Sequence, residues 1–305
     1  MSSTELLPTP VVLAATEEPP AGTEPPRGGR VRRRGSRRWL AWLGTAALGF
    51  AAVLFAIPFV WMISGSFKDA SEILDTPPTL LPQQFTFDNY VQLFQNLNFG
   101  MYLMTTLGVV ALSMIGLLLR AMAGYGFAKF EFRGKKVIYA AVLATMLIPE
   151  QVTMIPTYLI LNELKLTNTL IGIVMPGLVS AFSIFLFRQF MSTIPNDLIA
   201  AARMDGAGEF RIFVQIVLPI SGPILAIQAL LTFIGSWNSF IWPLIVATDQ
   251  RNYTLSVGLA LLNGQYGADY GLQMAGAAVM VVPILIVFAV AQKWIVRGFA
   301  TSGLK

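Results

Sequence analysis

The sequence predicts an all-α, polytopic membrane protein with six transmembrane helices and a cytoplasmic helical loop between the fourth and fifth. Three observations lead there. Apolar residues make up 55% of the 305 residues and charged residues 12%, about half the roughly 25% of an ordinary soluble domain, and the mean hydropathy is +0.65. Six apolar runs are each long enough to cross a bilayer. Threading them through the bilayer in order places nearly all the basic residues on one side.

A hydrocarbon layer about 30 Å thick needs about 20 mostly apolar helical residues. Trp39 to Phe67, Phe99 to Leu119, Leu166 to Phe187 and Gly271 to Gln292 are uncharged runs of that kind, and Val137 to Leu161 is broken only by Glu150. The uncharged stretch Ile212 to Thr248 contains Pro219 and Pro223 near its start. Proline ends one helix and is tolerated in the first turn of the next, so this span is placed at about Pro223 to Ala247.

With the N-terminus in the cytoplasm, the inside segments hold Arg27 to Arg38 (seven Arg), then Arg120, Lys129, Arg133, Lys135 and Lys136, then Arg188, Arg203 and Arg211, and last Lys293, Arg297 and Lys305. That is 18 of the 21 basic residues, with only Lys68, Lys165 and Arg251 outside. Basic residues concentrate in cytoplasmic loops, so both termini are expected in the cytoplasm. Ser36-Arg37-Arg38-Trp39-Leu40 has the look of a twin-arginine export signal. The apolar run behind it is longer than a signal core of roughly 7–15 residues, and five more spans follow. It reads instead as a basic anchor, with Trp39 and Trp42 at the interface. Residues 1–38 form a basic tail, and its first 35 residues, rich in Pro, Glu, Gly and Arg, are expected to be disordered; 39–305 form the membrane domain.

The chain has no His and no Cys. That excludes His/Cys metal centres, thiol nucleophiles and Ser-His-Asp triads together. Gly134-Lys135 lacks the upstream glycine of a phosphate-binding loop, since Lys129 stands there, so any ATP is bound by another chain. No catalytic residue, cofactor, metal or nucleic-acid partner is expected.

"AAARMDGAGEF" (Ala200 to Phe210) is a soluble-looking stretch between two apolar spans. Asn196 can cap a helix here, Asp197 suits its positive first turn, and Gly206 ends it because the position after a helix often needs positive φ. A second short helix, about Glu209 to Leu218, stops at Pro219. Between them lies a small-residue elbow, Gly206-Ala207-Gly208. Ala200, Ala201, Ala202 and Ala207 leave the surface nearly bare for close docking, and Asp205, Glu209 and Arg211 flank it.

The stretch "IPNDLIAAARMDGAGEFRIFVQIVLPISGPIL" (Ile194 to Leu225) resembles the EAA loop of the permease subunits of ATP-binding-cassette importers. Ala201, Ala202, Asp205, Gly206, Ala207, Leu218, Pro219 and Pro223 fall on the family pattern. "FTFDNYVQLF" (Phe85 to Phe94), "IPEQVTMIPTYLILNELKLTNTLIGIVMP" (Ile148 to Pro176), "WNSFIWPLIV" (Trp237 to Val246) and the C-terminal "VRGFATSGLK" are similar to the carbohydrate branch, and within it to the second, smaller membrane subunit of maltose-type importers. The likeness runs from about Leu40 to the end, with its core at about 100–297 and the loop at 194–223. It departs at Ala200, where the family has Glu; Asp197 or Glu209 are the candidates to replace that carboxylate.

The resemblance implies a permease working as a heterodimer with a second permease in the lipid bilayer. It implies two copies of a cytoplasmic ATPase gripping Ala201, Ala202, Asp205, Gly206, Ala207, Glu209 and Pro219, and an extracytoplasmic sugar-binding protein that the second outer loop, Asp249 to Tyr270, reaches toward. The cargo is then an oligosaccharide or glycoside. Glu150, Trp237, Asn238 and Trp242 are the candidates for the translocation path. An acidic residue inside a span marks a functional site by default, although Glu150 would also suit a helix break made by Pro149 and Pro156. Aromatic faces beside an amide suit a sugar, and Trp also gathers at membrane interfaces without any ligand. A secondary transporter is the alternative, and it would need more intramembrane carboxylates or internal repeats. A polytopic membrane enzyme would need a nucleophile with a base, or metal ligands, and the absence of His and Cys removes most routes to one.

Overall fold

The computed structural model describes residues 36–267 and 269–302. The tail up to residue 35 and Lys305 therefore lie outside the described residues, and the side chains of Arg37, Arg38 and Arg297 are likewise not described. By internal contact the chain divides into Met1–Leu54 and Phe55–Lys305. A helix, α1 (Ser36–Gly65), runs through the boundary with Pro58 in its interior.

All regular structure among the described residues is helical. Besides α1, two helices are long and apolar enough to cross a membrane: α2 (Phe99–Lys129) and α12 (Tyr270–Ser302). Three bent pairs of helices meet the same length and composition when each pair is taken as one span. α3 (Lys135–Thr145) and α4 (Glu150–Glu163) meet at 102°, α5 (Leu170–Gly177) and α6 (Ala181–Ser192) at 49°, and α8 (Glu209–Ile220) and α9 (Gly222–Trp237) at 84°. The short α7 (Asn196–Met204) precedes α8. After α9 come α10 (Ile241–Val246) and α11 (Leu255–Gln265).

Proline marks the sharpest of these bends. Pro149 immediately precedes α4, because proline has no N–H to continue α3 and its ring disfavours helix in the residue before it; Glu150 thereby becomes the first residue of a helix, at the hinge of the bent pair. The helix expected to stop at Pro219 runs on to Ile220. The reason is the π-helical turn Phe213–Val217 immediately before it. Such a wide turn is one of the few ways a helix absorbs an irregular hydrogen-bond ladder. The fifth span is also shorter than expected, since α9 ends at Trp237 and the chain breaks before α10.

The core is organised around α2, which packs on α6 and α9. Gly124 makes the first contact possible: a Cβ there would lie 2.4 Å from the Cβ of Phe187, and small residues are what bring membrane helices together. Leu117, Ala121, Tyr125, Phe187, Met191, Ile199 and Ile212 form one buried cluster at that end. At the other end Leu93, Phe99, Trp237, Leu255 and Leu272 form another. The segment after Asp249, expected as a polar loop, is in fact largely α11, which buries Leu255, Val257 and Leu262 against α2 and α12.

Candidate coupling loop and translocation cavity

α7 is not capped by Asn196, which is its first residue; Asn196 Oδ1 instead accepts from Lys129 Nζ at 2.9 Å. The same ammonium donates to the Ile194 carbonyl. The loop is thus tied to the end of α2. Asp197 sits in the first turn of α7 as expected.

The helix ends as the sequence predicts. Gly206 has φ +80°, a value that glycine adopts without steric cost. Gly206 N–H donates to the Arg203 carbonyl and Ala207 N–H to the Ala202 carbonyl, both at 3.0 Å. This paired arrangement of bonds is the Schellman cap, which satisfies carbonyls the helix end leaves open. Across the elbow Arg203 Nε donates to Glu209 Oε1 at 2.6 Å, and Tyr125 Oη donates to Glu209 Oε2 at 3.3 Å. The hydrogen bond that Arg203 donates to the Glu209 carboxylate holds its guanidinium above its ordinary pKa. Glu209 therefore spends its charge inside the chain.

The alanines divide. Ala200 and Ala201 are exposed, while Ala202 is buried and Ala207 packs on the same cluster, so two of the four residues expected to bare the surface belong to the core instead. What stands out of the elbow is apolar: Met204 is 85% exposed and Phe210 68%. Neither was singled out in the sequence, although large apolar residues beside a small-residue elbow were legible there. Asp205 is exposed beside them, and Pro219 lies in the last turn of α8.

A cavity of about 830 Å³ opens between α2, α4, α5, α6 and α9. Its wall is unusually wet for apolar helices, with Ser113, Thr153, Thr157, Ser183, Thr232 and Ser236 among its lining. Glu150 lines it from the first turn of α4, where negative charge is favourable. Trp242 lines it too, its Nε1 donating to the Gly172 carbonyl at 3.3 Å. Trp237 and Asn238 do not. Trp237 is 2% exposed, stacks on Phe233 and donates to the Met280 carbonyl at 2.9 Å. Asn238 is exposed beyond the end of α9.

The residue missed here is Arg120. Its place at the end of an apolar run reads as a cytoplasmic flank, yet α2 continues to Lys129 and buries Arg120 in the cavity wall. Four of its N–H groups are used: Nε on the Gly116 carbonyl, Nη1 on Ser183 Oγ, and Nη2 on the Ser113 carbonyl and Thr232 Oγ1.

The profile of the family described as "Binding-protein-dependent transport system inner membrane component" matches residues 120–301. The chain belongs to this family. Among relatives, an arabinooligosaccharides transport system permease protein of Halalkalibacterium halodurans is 34% identical, the match covering 87% of this chain and 97% of the relative. A diacetylchitobiose uptake system permease protein of Streptomyces coelicolor is also 34% identical, over 96% and 98%. A solved bacterial ABC transporter involved in the import of the acidic polysaccharide alginate has a chain of the same fold. Its TM-score is 0.73 at 24% identity, with 85% of this chain and 97% of that one covered. The chain is thus an inner-membrane transport component with the architecture of an importer permease, and its relatives are permease subunits rather than enzymes.

Proposed function

We propose that this chain is one of two different permeases of a carbohydrate importer, crossing the membrane six times with both termini in the cytoplasm. On this reading Ile194 to Ile220 docks in a cleft of a cytoplasmic ATPase present in two copies. Ala201, Asp205, Gly206, Met204 and Phe210 face the ATPase, while Ala202, Ala207, Glu209 and Pro219 shape the loop from within. An extracytoplasmic binding protein delivers an oligosaccharide or glycoside, which passes along the cavity between α2, α4 and α9. Closure of the ATPase pair drives transport, because contacts that differ between two states are the only means of shifting an equilibrium between them.

The observation that carries the reading is the cavity. A wall of hydroxyl side chains with one indole, set among apolar helices, offers hydrogen bonds for hydroxyls and a flat face for a pyranose, as polar groups in an otherwise apolar pocket fix orientation. Transport functions of the relatives, arabinooligosaccharides and diacetylchitobiose by their names, support the substrate class.

The test is to purify the tagged chain from its native membrane, identify what comes with it, and measure uptake of labelled oligosaccharides in a deletion strain with and without the gene. A second permease, an ATPase and restored uptake are expected. Uptake that is unchanged by the deletion, or ATP-independent uptake by the chain alone, overturns the reading.

A further inference from the structure

The charge on Arg120 has no counter-ion. Arg120 is 6% exposed and all four acceptors of its guanidinium are neutral, two backbone carbonyls and two hydroxyls. None of the ion pairs among the described residues includes it. Burying an uncompensated charge is costly, and an intramembrane arginine ordinarily pairs or faces a water-filled path.

A second donor stands next to it. Ser183 Oγ accepts from Arg120 and its O–H donates to Gln228 Oε1 at 2.8 Å. That fixes the amide: the oxygen faces Ser183 and the nitrogen is turned away. Gln228 is 1% exposed, and its Nε2 has no hydrogen-bond partner. A guanidinium has five N–H groups and Arg120 uses four, so one remains. One wall of the cavity therefore carries a full positive charge and unused N–H donors on two side chains joined by a single hydroxyl, with nothing among the described residues to accept from them.

We propose that Arg120 and Gln228 form the subsite for an anionic group of the transported solute, a carboxylate borne by the saccharide as in a hexuronate residue. An ionised acceptor answers all three features at once: it neutralises the charge, takes the spare guanidinium N–H and takes the Gln228 amide. Glu150, the only acidic residue lining the same cavity, gives the solute a direction, because it repels the anionic end and leaves the neutral sugar units along the hydroxyl wall. The proposal rests on the carbohydrate reading above and narrows it from oligosaccharides and glycosides at large to acidic ones.

The experiment uses the complete importer with its binding protein in liposomes. Uptake is measured for an oligosaccharide ending in a hexuronate and for its carboxyl-reduced counterpart, which differs only by a neutral hydroxymethyl group. A charge-assisted hydrogen bond corresponds to a preference of about tenfold or more, so the wild type takes up the acidic sugar at least about tenfold better. Arg120→Gln brings the ratio of acidic to reduced sugar uptake, measured in the same liposomes, to about one, and Arg120→Lys retains part of the preference. Gln228→Glu, nearly the same shape, gives Arg120 an internal carboxylate, so it abolishes uptake of the acidic sugar at normal membrane level. Equal uptake of both sugars by the wild type, or an acidic-sugar preference that survives in Gln228→Glu, overturns the subsite and leaves the carbohydrate reading standing. Uptake of neither sugar or of any other oligosaccharide by the wild type overturns the carbohydrate reading and the subsite with it.

Discussion

Arg203 and Glu209 clasp the elbow of the loop, their side chains meeting at 2.6 Å across the turn that Gly206 makes. Both are close to half exposed, at 45% and 42%, and pairs in that setting contribute about 0–1 kcal/mol. Glu209→Gln is therefore expected to change the melting temperature of the purified importer little. The clasp holds shape more than it adds stability, so ATP hydrolysed per sugar moved is expected to rise. A fall of many degrees in melting temperature would show that the pair is a main support of the loop.

Gly206→Val strains the elbow by about 1–3 kcal/mol, since φ +80° excludes a β-branched residue. No atom lies within 4 Å of where the new Cβ would stand, so bulk inside the chain plays no part. Gly206→Asn, which visits positive φ far more readily, is expected to retain most uptake. Membrane level should match the wild type in both, while sugar uptake and ATPase co-purification fall sharply in Gly206→Val. Normal uptake in Gly206→Val would remove this loop from the coupling step.

Phe210→Ala and Met204→Ala remove large side chains that pack on little within the chain. Neither should reduce membrane level. If the elbow seats in a partner, buried aromatic anchors of this kind carry a large share of the affinity. Phe210→Ala is expected to weaken ATPase binding about tenfold or more, read as the ATPase retained on a tagged chain during salt washes. Undiminished retention in the double variant would place the contact elsewhere.

Gly124→Val tests the frame instead of the loop. Its Cβ would stand 2.4 Å from that of Phe187 and 3.0 Å from the backbone nitrogen of Arg188, so α6 must move away from α2. Overpacking of that kind costs about 1–3 kcal/mol. The expected outcome is a lower amount of intact protein in the membrane at equal transcript, measured by quantitative immunoblot; an unchanged amount would mean the two helices do not need that approach.

Much of this was legible in the sequence because it depends on one-dimensional features. Apolar run length gives the long helices, and a glycine between a helix former and a second helix start gives the Gly206 turn. The side of a helix that a residue faces is another matter. Trp237 and Trp242 are five residues apart and read alike, yet the break between α9 and α10 sends the first into the core and the second to the cavity. Arg120 was lost for a related reason: at the end of an apolar run an arginine looks like an interfacial anchor, and only the continuation of α2 to Lys129 shows it to be buried. The break at Pro149 was visible, but the 102° turn that puts Glu150 on the cavity wall depends on packing.

The bond from Lys129 to Asn196 has a mechanical meaning. Arg120 lies nine residues up the same unbroken helix, about 13–14 Å at 1.5 Å per residue. Tugging on the start of α7 must therefore either snap the Lys129 tether or drag the foot of α2 along, and α2 is a stiff shaft with no joint between its foot and the cavity wall. On the proposed reading, the strap at the bottom and the guanidinium higher up then move as one piece, so that a pull on the loop is carried to the cavity wall.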